Sequence, residues 1–370
     1  MKVVIVCAFD TYFDRVKLLK EYYKKEDVIV ISSDFSHRKK KKIHNEISDL
    51  NINVKEYKKN LSIDRLISHY QFSKSVYNEL IAIQPDLIHA LVPPNSLSKY
   101  LSLYKEKYNV KLIFDIIDLW PETLPVGNIK NIFPITLWKN IRDKYLERAD
   151  IIFTECDLFQ EVLRKKGNLK YHTLYWSRKE RPLETSYKFS KNKRSFCYLG
   201  SINNIIDLDL IVQFLKECNK KIDTTLHIIG NGEEKQTLIS RLSAEHITVI
   251  DHQEVYSQIE KQKIFDQCDY ALNIMKPTVV VGLTMKSLDY MCAGIPLINT
   301  IQGDTYKLCA QEEIGHNVNK DNIQEIINEI IHEDEEDMSF KREKIKSVYL
   351  ETFTDTVFFE TLDKAGVLHD

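Results

Sequence analysis

Two doubly wound α/β domains are the fold class this sequence predicts, and three observations carry that prediction. Short apolar runs, hydrophobic on both faces, alternate twice along the chain with stretches of helical periodicity. A polar, charged segment separates the two series. Charge divides at the same place: residues 1–185 hold 32 Lys+Arg against 24 Asp+Glu, a net of +8, and the totals of 52 and 54 leave 20 against 30, a net of −10, for residues 186–370. A chain of 370 residues is long enough for two domains with separate cores.

The elements follow in order. In the first series, strands are predicted at residues 3–7, 28–31, 87–91, 112–116 and 151–153, and helices at 12–24, 63–83, 95–107 and 135–148. Such alternation implies parallel strands covered by helices. The second series predicts strands at 195–199, 225–229, 248–250, 270–274 and 297–301, with helices at 208–219, 233–243, 258–266 and 322–331. The domains are therefore set at 1–178 and 195–351, with 179–194 as the linker. Residues 333–337 are acidic and read as a solvated bend, and the tail, 340–362, reads as helical.

Composition narrows the class. Apolar residues make up 43% and charged residues 29%, the balance of a globular protein. The seven cysteines form no CxxC pair, and most lie in apolar runs, as expected of reduced, buried thiols in the cytosol. No apolar run approaches the roughly 20 residues of a membrane span. The opening MKVVIVCAFD has too short an apolar core for a signal peptide and reads as a first strand.

The stretch VGLTMKSLDYMCAGIPLINTIQGDT, residues 281–305, is the most informative. Thr284 is an N-cap candidate, Gly294 suits the left-handed position after a helix end, and Pro296 stops continuation. Met285, Leu288, Met291 and Cys292 are spaced as a buried face. Lys286 and Asp289 share the other face. A cation in a first helical turn opposes the helix dipole by roughly 0.3–1 kcal/mol. It becomes favourable if an anion docks on the open N–H groups there. Asp289, one turn deeper, would accept from ribose hydroxyls. A solvated Lys and Asp on an ordinary amphipathic helix is the competing reading.

FDIIDLWPETLP, residues 114–125, follows a strand, where ligand-binding loops gather. Asp118 or Glu122 would serve as a base or accept sugar hydroxyls. The structural alternative is an acidic turn with Pro121 opening a helix. In FCYLGSINN, residues 196–204, Gly200 allows close backbone approach by a ligand, and Ser201 is placed to meet a phosphate. LHIIGNGEE repeats the pattern with Gly230 and Gly232 but lacks the third glycine of a dinucleotide fingerprint. Asp207-Leu208-Asp209 has the form of a DxD metal motif, yet fits the first turn of a helix better. The run His37 to Lys42 is either a solvated loop or a contact for anionic lipid headgroups. Nucleic acid is not expected, because neither domain is strongly basic and no aromatic-rich motif accompanies the run. His89, ending a strand, has a structural and a functional reading of equal standing.

DLWPETLP, YLGSINN, LHIIGNGEE and GLTMKSLDYMCAGIPLINTIQGDT occur in the order and over the span that resemble GT-B-fold glycosyltransferases of the family-4, retaining type, notably bacterial polysaccharide enzymes. The resemblance implies two Rossmann-like domains facing across a cleft, with the C-terminal helix within 352–370 crossing back onto the first. It implies a nucleotide-sugar co-substrate, a UDP-sugar foremost, with no metal or other cofactor. Lys286 would hold the diphosphate and Asp289 the ribose. Leu283 and Thr284 would offer backbone N–H groups, Gly200 and Ser201 would line the phosphate side with Gly230 and Gly232, and Gln253 and Tyr256 would lie near the base. Asp118 would sit near the transferring sugar, and Asp10, Trp120 and Glu122 near a glycan or lipid-linked acceptor. Three features depart from the family pattern. The first strand leads into Ala8-Phe9-Asp10 without the familiar Gly-rich loop. The usual pair of Glu residues eight apart is replaced by Val281 and Asp289, and the Arg and Lys that often follow the Gly200 position are not apparent. A nucleotide-sugar 2-epimerase and a non-catalytic subunit supporting a partner transferase share the fold and remain as alternatives.

Overall fold

The computed structural model describes residues 1–60, 62–123, 135–164 and 171–368. The chain divides into two compact units, residues 1–177 with 355–370, and residues 178–354. Both are doubly wound.

In the first unit the strands are β1 (Lys2–Cys7), β2 (Asp27–Ser33), β3 (Phe35–Ser36), β4 (Lys41–Lys42), β5 (Leu50–Ile52), β6 (Leu87–Val92), β7 (Lys111–Ile116), β8 (Ile151–Thr154) and β9 (Tyr171–Thr173). All but β3 and β4 form one parallel sheet in the order β5-β2-β1-β6-β7-β8-β9, while β3 and β4 pair as a short antiparallel ribbon. Helices α1 (Phe13–Tyr22), α2 (Ile63–Ile83), α3 (Asn95–Lys107), α4 (Ile135–Leu146) and α5 (Asp157–Arg164) connect them. Alternate residues of the central strands, among them Val4, Val6, Ile88, Ala90, Phe114 and Ile116, enter one core with Phe72, Val76 and Leu80 of α2 and with Leu97 and Leu101 of α3.

The second unit repeats the plan with β10 (Lys193–Leu199), β11 (Asp223–Ile229), β12 (Thr248–Asp251), β13 (Tyr270–Asn273), β14 (Leu297–Asn299) and β15 (Gly315–Asn317), ordered β12-β11-β10-β13-β14-β15. Its helices are α6 (Leu208–Asn219), α7 (Lys235–Ala244), α8 (Gln258–Phe265), α9 (Met285–Ala293), α10 (Asp304–Glu312), α11 (Ile323–His332) and α12 (Glu335–Thr352). The last helix, α13 (Asp355–Lys364), belongs to the first unit. There Tyr22 donates to Asp363 at 2.7 Å and Phe358 lies under the Arg15 guanidinium. In each sheet the winding reverses beside the first strand, between β1 and β6 and between β10 and β13. Crevices for ligands form at the carboxyl ends of strands at such points.

Three local expectations are corrected. Residues 334–337 are exposed as expected, but the segment opens a helix and is not a bend. Asp334 caps α12 in a reciprocal capping box with Asp337, and Glu333 takes hydrogen bonds from Tyr270 and Lys341. Although burial works against its charge, His316, Lys341 and Tyr270 hold that carboxyl down at about 2. The helical tail is two helices, broken at Phe353 and Thr354. Met285 is 38% exposed, so the buried face of α9 is made by Ser287, Leu288, Tyr290, Met291 and Cys292 instead. Residues 179–194 lie on the second unit. Thr185 Oγ1 and the Ser186 N–H donate to Asp266 at 2.6 and 2.8 Å, and the Tyr187 hydroxyl donates to Asp269 at 2.6 Å.

Candidate active site

In the second unit the site is built on the end of β10. The chain leaves that strand through Gly200 at φ +110°, where a side chain is strained. The space a Cβ would occupy there is open. The neighbouring loop closes against it backbone to backbone. A Cβ on Gly230 would fall 2.2 Å from the Gly200 carbonyl oxygen, and one on Gly232 equally close to that of Ile202. The two glycines therefore shape the loop from behind. The Gly200 N–H donates to Ile229 O at 2.8 Å, and the Gly230 N–H donates to Gln253 O at 2.7 Å. Gln253 itself adopts φ +58° and turns its side chain to Asp251.

Helix α9 enters the same place. Thr284 caps it by accepting from the Ser287 N–H at 3.2 Å, and Gly294 ends it at φ +72°. Its register is fixed from two sides. The Tyr290 hydroxyl accepts from the Leu199 N–H at 2.6 Å, tying the helix to the last residue of β10. Ser287 accepts from Asn273, which donates to Asn299, which donates to Asn317, a ladder across the ends of β13, β14 and β15. Leu283 is buried just before the cap.

Lys286, in the first turn, extends over the ring of Tyr198, with Nζ 4.5 Å from the centroid. Tyr198 in turn donates its hydroxyl to Ser201 O at 3.1 Å. Lys286, Ser201 and the turn at Gly200 are thus assembled around one aromatic ring. The Lys286 Nζ is buried and has no hydrogen-bond partner among the described residues. Burial lowers its pKa to about 7. An unpaired buried ammonium costs several kcal/mol unless something compensates it.

Asp289 turns the other way. Its carboxylate accepts from Lys261 Nζ at 2.8 Å and lies 3.5 Å from Arg178. With Tyr256, Gln258 and Cys292 these residues line a pocket of about 90 Å³. Tyr256, 78% exposed, offers an open ring at its rim. Lys286 and Asp289 therefore serve neighbouring but separate places. The Asp207 side chain caps α6 and Asp209 pairs with Arg241 at 2.8 Å, which is the helix-start reading of that dyad.

In the first unit the loop after β7 carries Asp118, Trp120 and Glu122; Leu124 and Pro125 of the same stretch lie outside the described residues. Trp120 is 5% exposed and sits among aromatic rings. His69 stacks on it at 5.9 Å, Phe9 meets it edge-on at 5.4 Å, and Arg65 lies 4.0 Å above its centroid. Glu122 is clamped by Arg142 through both oxygens at 3.0 Å and by Lys139. Burial opposes that charge, but Arg142 and Lys139 hold the carboxyl below its ordinary range. Its visible role is to anchor the loop to α4. Asp10 is also occupied, accepting from Ser36 Oγ at 2.6 Å and the His37 N–H at 3.2 Å, so it holds the β3–β4 ribbon.

Asp118 differs from both. It accepts from Thr123, and burial pushes its carboxyl above the ordinary range. Glu155, at the end of β8, is pushed well above its own by burial and by Asp118. Below them Asp115 pairs with Arg15 through two 2.7 Å bonds. His89 is structural here: it is buried, with Nδ1 2.9 Å from the Tyr23 hydroxyl.

The sequence reading did not single out Tyr198, Tyr290, Lys261, Arg178, Arg65, His69 or Glu155. Tyr198 precedes Gly200 by two residues in a strand, so its orientation was deducible once the strand end was placed. Tyr290 lies within the 281–305 stretch itself, on the buried face of α9, but its tie to Leu199 is not a local signal; the others come from distant elements.

This arrangement, two doubly wound units with a glycine turn and a helix N-terminus at the second switch point, is that of the GT-B fold. The lipopolysaccharide outer core galactosyltransferase WaaB aligns over 99% of both chains with a TM-score of 0.66 and 14% identity. Sucrose-phosphate synthase from Thermosynechococcus elongatus aligns over 98% of both at 0.69 and 10% identity. HepE of Anabaena, in complex with UDP and glucose, aligns over 98% of both at 0.64 and 12%. The chain has the GT-B fold. Residues 193–332, within the second unit, match the family model for glycosyl transferases group 1. No curated protein matches the chain by sequence.

Proposed function

We propose that this chain is a glycosyltransferase that moves a sugar from a nucleoside diphosphate sugar, UDP-linked foremost, to a glycan or lipid-linked acceptor. The reaction is read as metal-independent and retaining, in the assembly of capsular, exopolysaccharide or cell-wall glycan. One observation carries the donor assignment: the buried, unpartnered ammonium of Lys286 beside the open turn at Gly200. A diphosphate there would meet Lys286, the N–H groups opening α9, and Ser201. These groups would stabilise the charge that grows on the leaving phosphate. Asp289, Gln253 and Tyr256 are read as the nucleoside side, where release of Asp289 from Lys261 frees an oxygen for ribose. The UDP complex of HepE supports this donor class.

In the first unit, Asp118 is read as the carboxyl near the transferring sugar, where oxocarbenium character develops. Trp120 would shape the acceptor site, with Glu122 and Asp10 fixing the loop and ribbon that border it. The exposed cations Arg38, Lys39 and Lys41 support peripheral contact with an anionic membrane on the cytoplasmic face.

A panel of nucleotide sugars tests the donor reading, with thermal stabilisation and donor hydrolysis measured for each. Stabilisation by one nucleoside diphosphate together with hydrolysis of its sugar is expected. Conversion of donor to an epimer without acceptor would favour the epimerase alternative. A protein that no nucleotide stabilises would be a silent subunit.

A further inference from the structure

The first turns of α2 are inside out. Arg65, Ser68 and His69 are buried, at 2%, 3% and 4% exposure, while Ile63, Leu66, Ile67 and Tyr70 stand 76%, 36%, 37% and 49% exposed. The buried polar set is explained by the ring of Trp120, on which Arg65 and His69 both lie. The exposed apolar set has no such explanation. Its spacing of i, i+3, i+4 and i+7 makes one continuous stripe. Further along α2, Phe72, Val76 and Leu80 lie inside and Lys74 and Asn78 outside, with Ile81 a single large exposed apolar residue near the helix end. Tyr100 of α3 extends the stripe, meeting Tyr70 edge-on at 5.6 Å.

The stripe is bordered by cations. Lys58 and Lys59 are exposed just before the helix. The β3–β4 ribbon rests on the same segment, because Lys40 bonds to Asn60 and lies 4.8 Å over the Tyr57 ring. That contact brings the exposed Arg38, Lys39 and Lys41 to the stripe's edge. Among the described residues of 53–70 the exposed acids are Glu56 and Asp64, and Asp64 is paired with Lys55 at 2.6 Å. An apolar stripe with basic borders is complementary to lipid headgroups, whose phosphates lie above acyl chains. The stripe also has a defined place. The start of α2 follows β5, so it lies at the carboxyl edge of the sheet, the edge that carries the Asp10 and Asp118 loops.

We propose that the stripe Ile63, Leu66, Ile67 and Tyr70 is the anchor by which this chain seats on an anionic bilayer, with the surrounding lysines and Arg38 pairing to lipid phosphates. This rests on the membrane reading of the basic segment and adds an apolar component to it. Seated so, the first unit presents the carboxyl edge of its sheet to the bilayer, where a lipid-linked acceptor displays its head.

The test is vesicle flotation of the full chain on phosphatidylcholine with and without phosphatidylglycerol. Wild type is expected to float with the anionic vesicles only. The double variant Ile63→Glu, Ile67→Glu is expected to lose about tenfold or more of that binding. Its melting temperature and its stabilisation by UDP should stay unchanged, which separates anchoring from folding and from the donor site. Unchanged flotation of this variant, with loss in Arg38→Glu, Lys39→Glu, would overturn the anchor and leave the electrostatic contact standing. Wild type that floats with neither vesicle overturns both. A dimer that the double variant dissociates, without vesicle binding, would assign the stripe to a second copy and overturn the proposal.

Discussion

Two helices of the second unit carry in their first turn a lysine whose ammonium is buried, and the two lysines are in opposite situations. Lys235, in the first turn of α7, is 3% exposed and fully occupied. It donates to Gly230 O at 2.8 Å and pairs with Asp251 at 2.7 Å. Lys286, in the first turn of α9, has an aromatic ring beneath it and no acceptor. Both oppose their helix dipoles. The first is compensated from within the fold and braces the glycine loop. The second has only the Tyr198 ring and no hydrogen-bond acceptor among the described residues, so its charge is available to a ligand. The same sequence signal therefore marks a brace in one case and a binding group in the other, and only the acceptors around it distinguish them.

Removing each amine should break the symmetry of the pair. Lys286→Ala is expected to lower sugar transfer by at least about 100-fold, near 2.7 kcal/mol, the scale of losing one charge-stabilising donor. The same substitution should nearly abolish thermal stabilisation by UDP, and near-normal turnover would sink the assignment. Lys235→Met should instead cost about 2 kcal/mol of stability, because it strands the Gly230 carbonyl and Asp251, and denaturant unfolding measures it.

A pH series sharpens the contrast at smaller scale. The pKa of Lys286 is about 7 in the folded protein, against 10.5 for an ordinary lysine. A diphosphate requires its charged form, so binding takes up a proton above that pH. Affinity for UDP should weaken by up to about tenfold per pH unit between about pH 7 and pH 9. Titration calorimetry in buffers of different ionisation enthalpy would show the uptake, and a flat profile would contradict it. For the ligand-free protein the sign is opposite. The unfolded chain holds the extra proton between about 7 and 10.5, so stability rises with pH across that window and the penalty is complete below it. Smallest of all, Lys286→Met should raise the ligand-free melting temperature by about 2–4 °C, the effect of about 1 kcal/mol in a domain of this size. A lowered melting temperature would mean the amine has a partner after all.

Much of the fold was legible because its strands are apolar on both faces and its helices periodic. Helices α2, α3 and α6 begin and end where the spacing predicts. What escaped was short or polar. β15 reads Gly-His-Asn and contains no apolar residue; only pairing with Leu297–Asn299 makes it a strand. β5 has three residues, too few for alternation to register. In the site, the N-cap at Thr284 and the left-handed Gly294 were readable because capping is local chemistry. The roles of Asp289 and Glu122 were not. Their partners Lys261, Arg178 and Arg142 come from elsewhere in the chain, and a carboxylate's company decides whether it is free to bind or committed to structure.

The return of α13 to the first unit has a consequence for how the protein is made. The second unit is one uninterrupted stretch, 178–354, whereas the first is assembled from two pieces. As the chain emerges during synthesis, residues 178–354 can close their core at once. The seam that receives Phe358 and Asp363 beside Arg15 and Tyr22 stays open until 355–370 follow. The unit that starts first on the ribosome thus finishes last. An early stop near residue 354 would leave a completed second unit joined to an unsealed first one, a species exposed to aggregation and proteolysis.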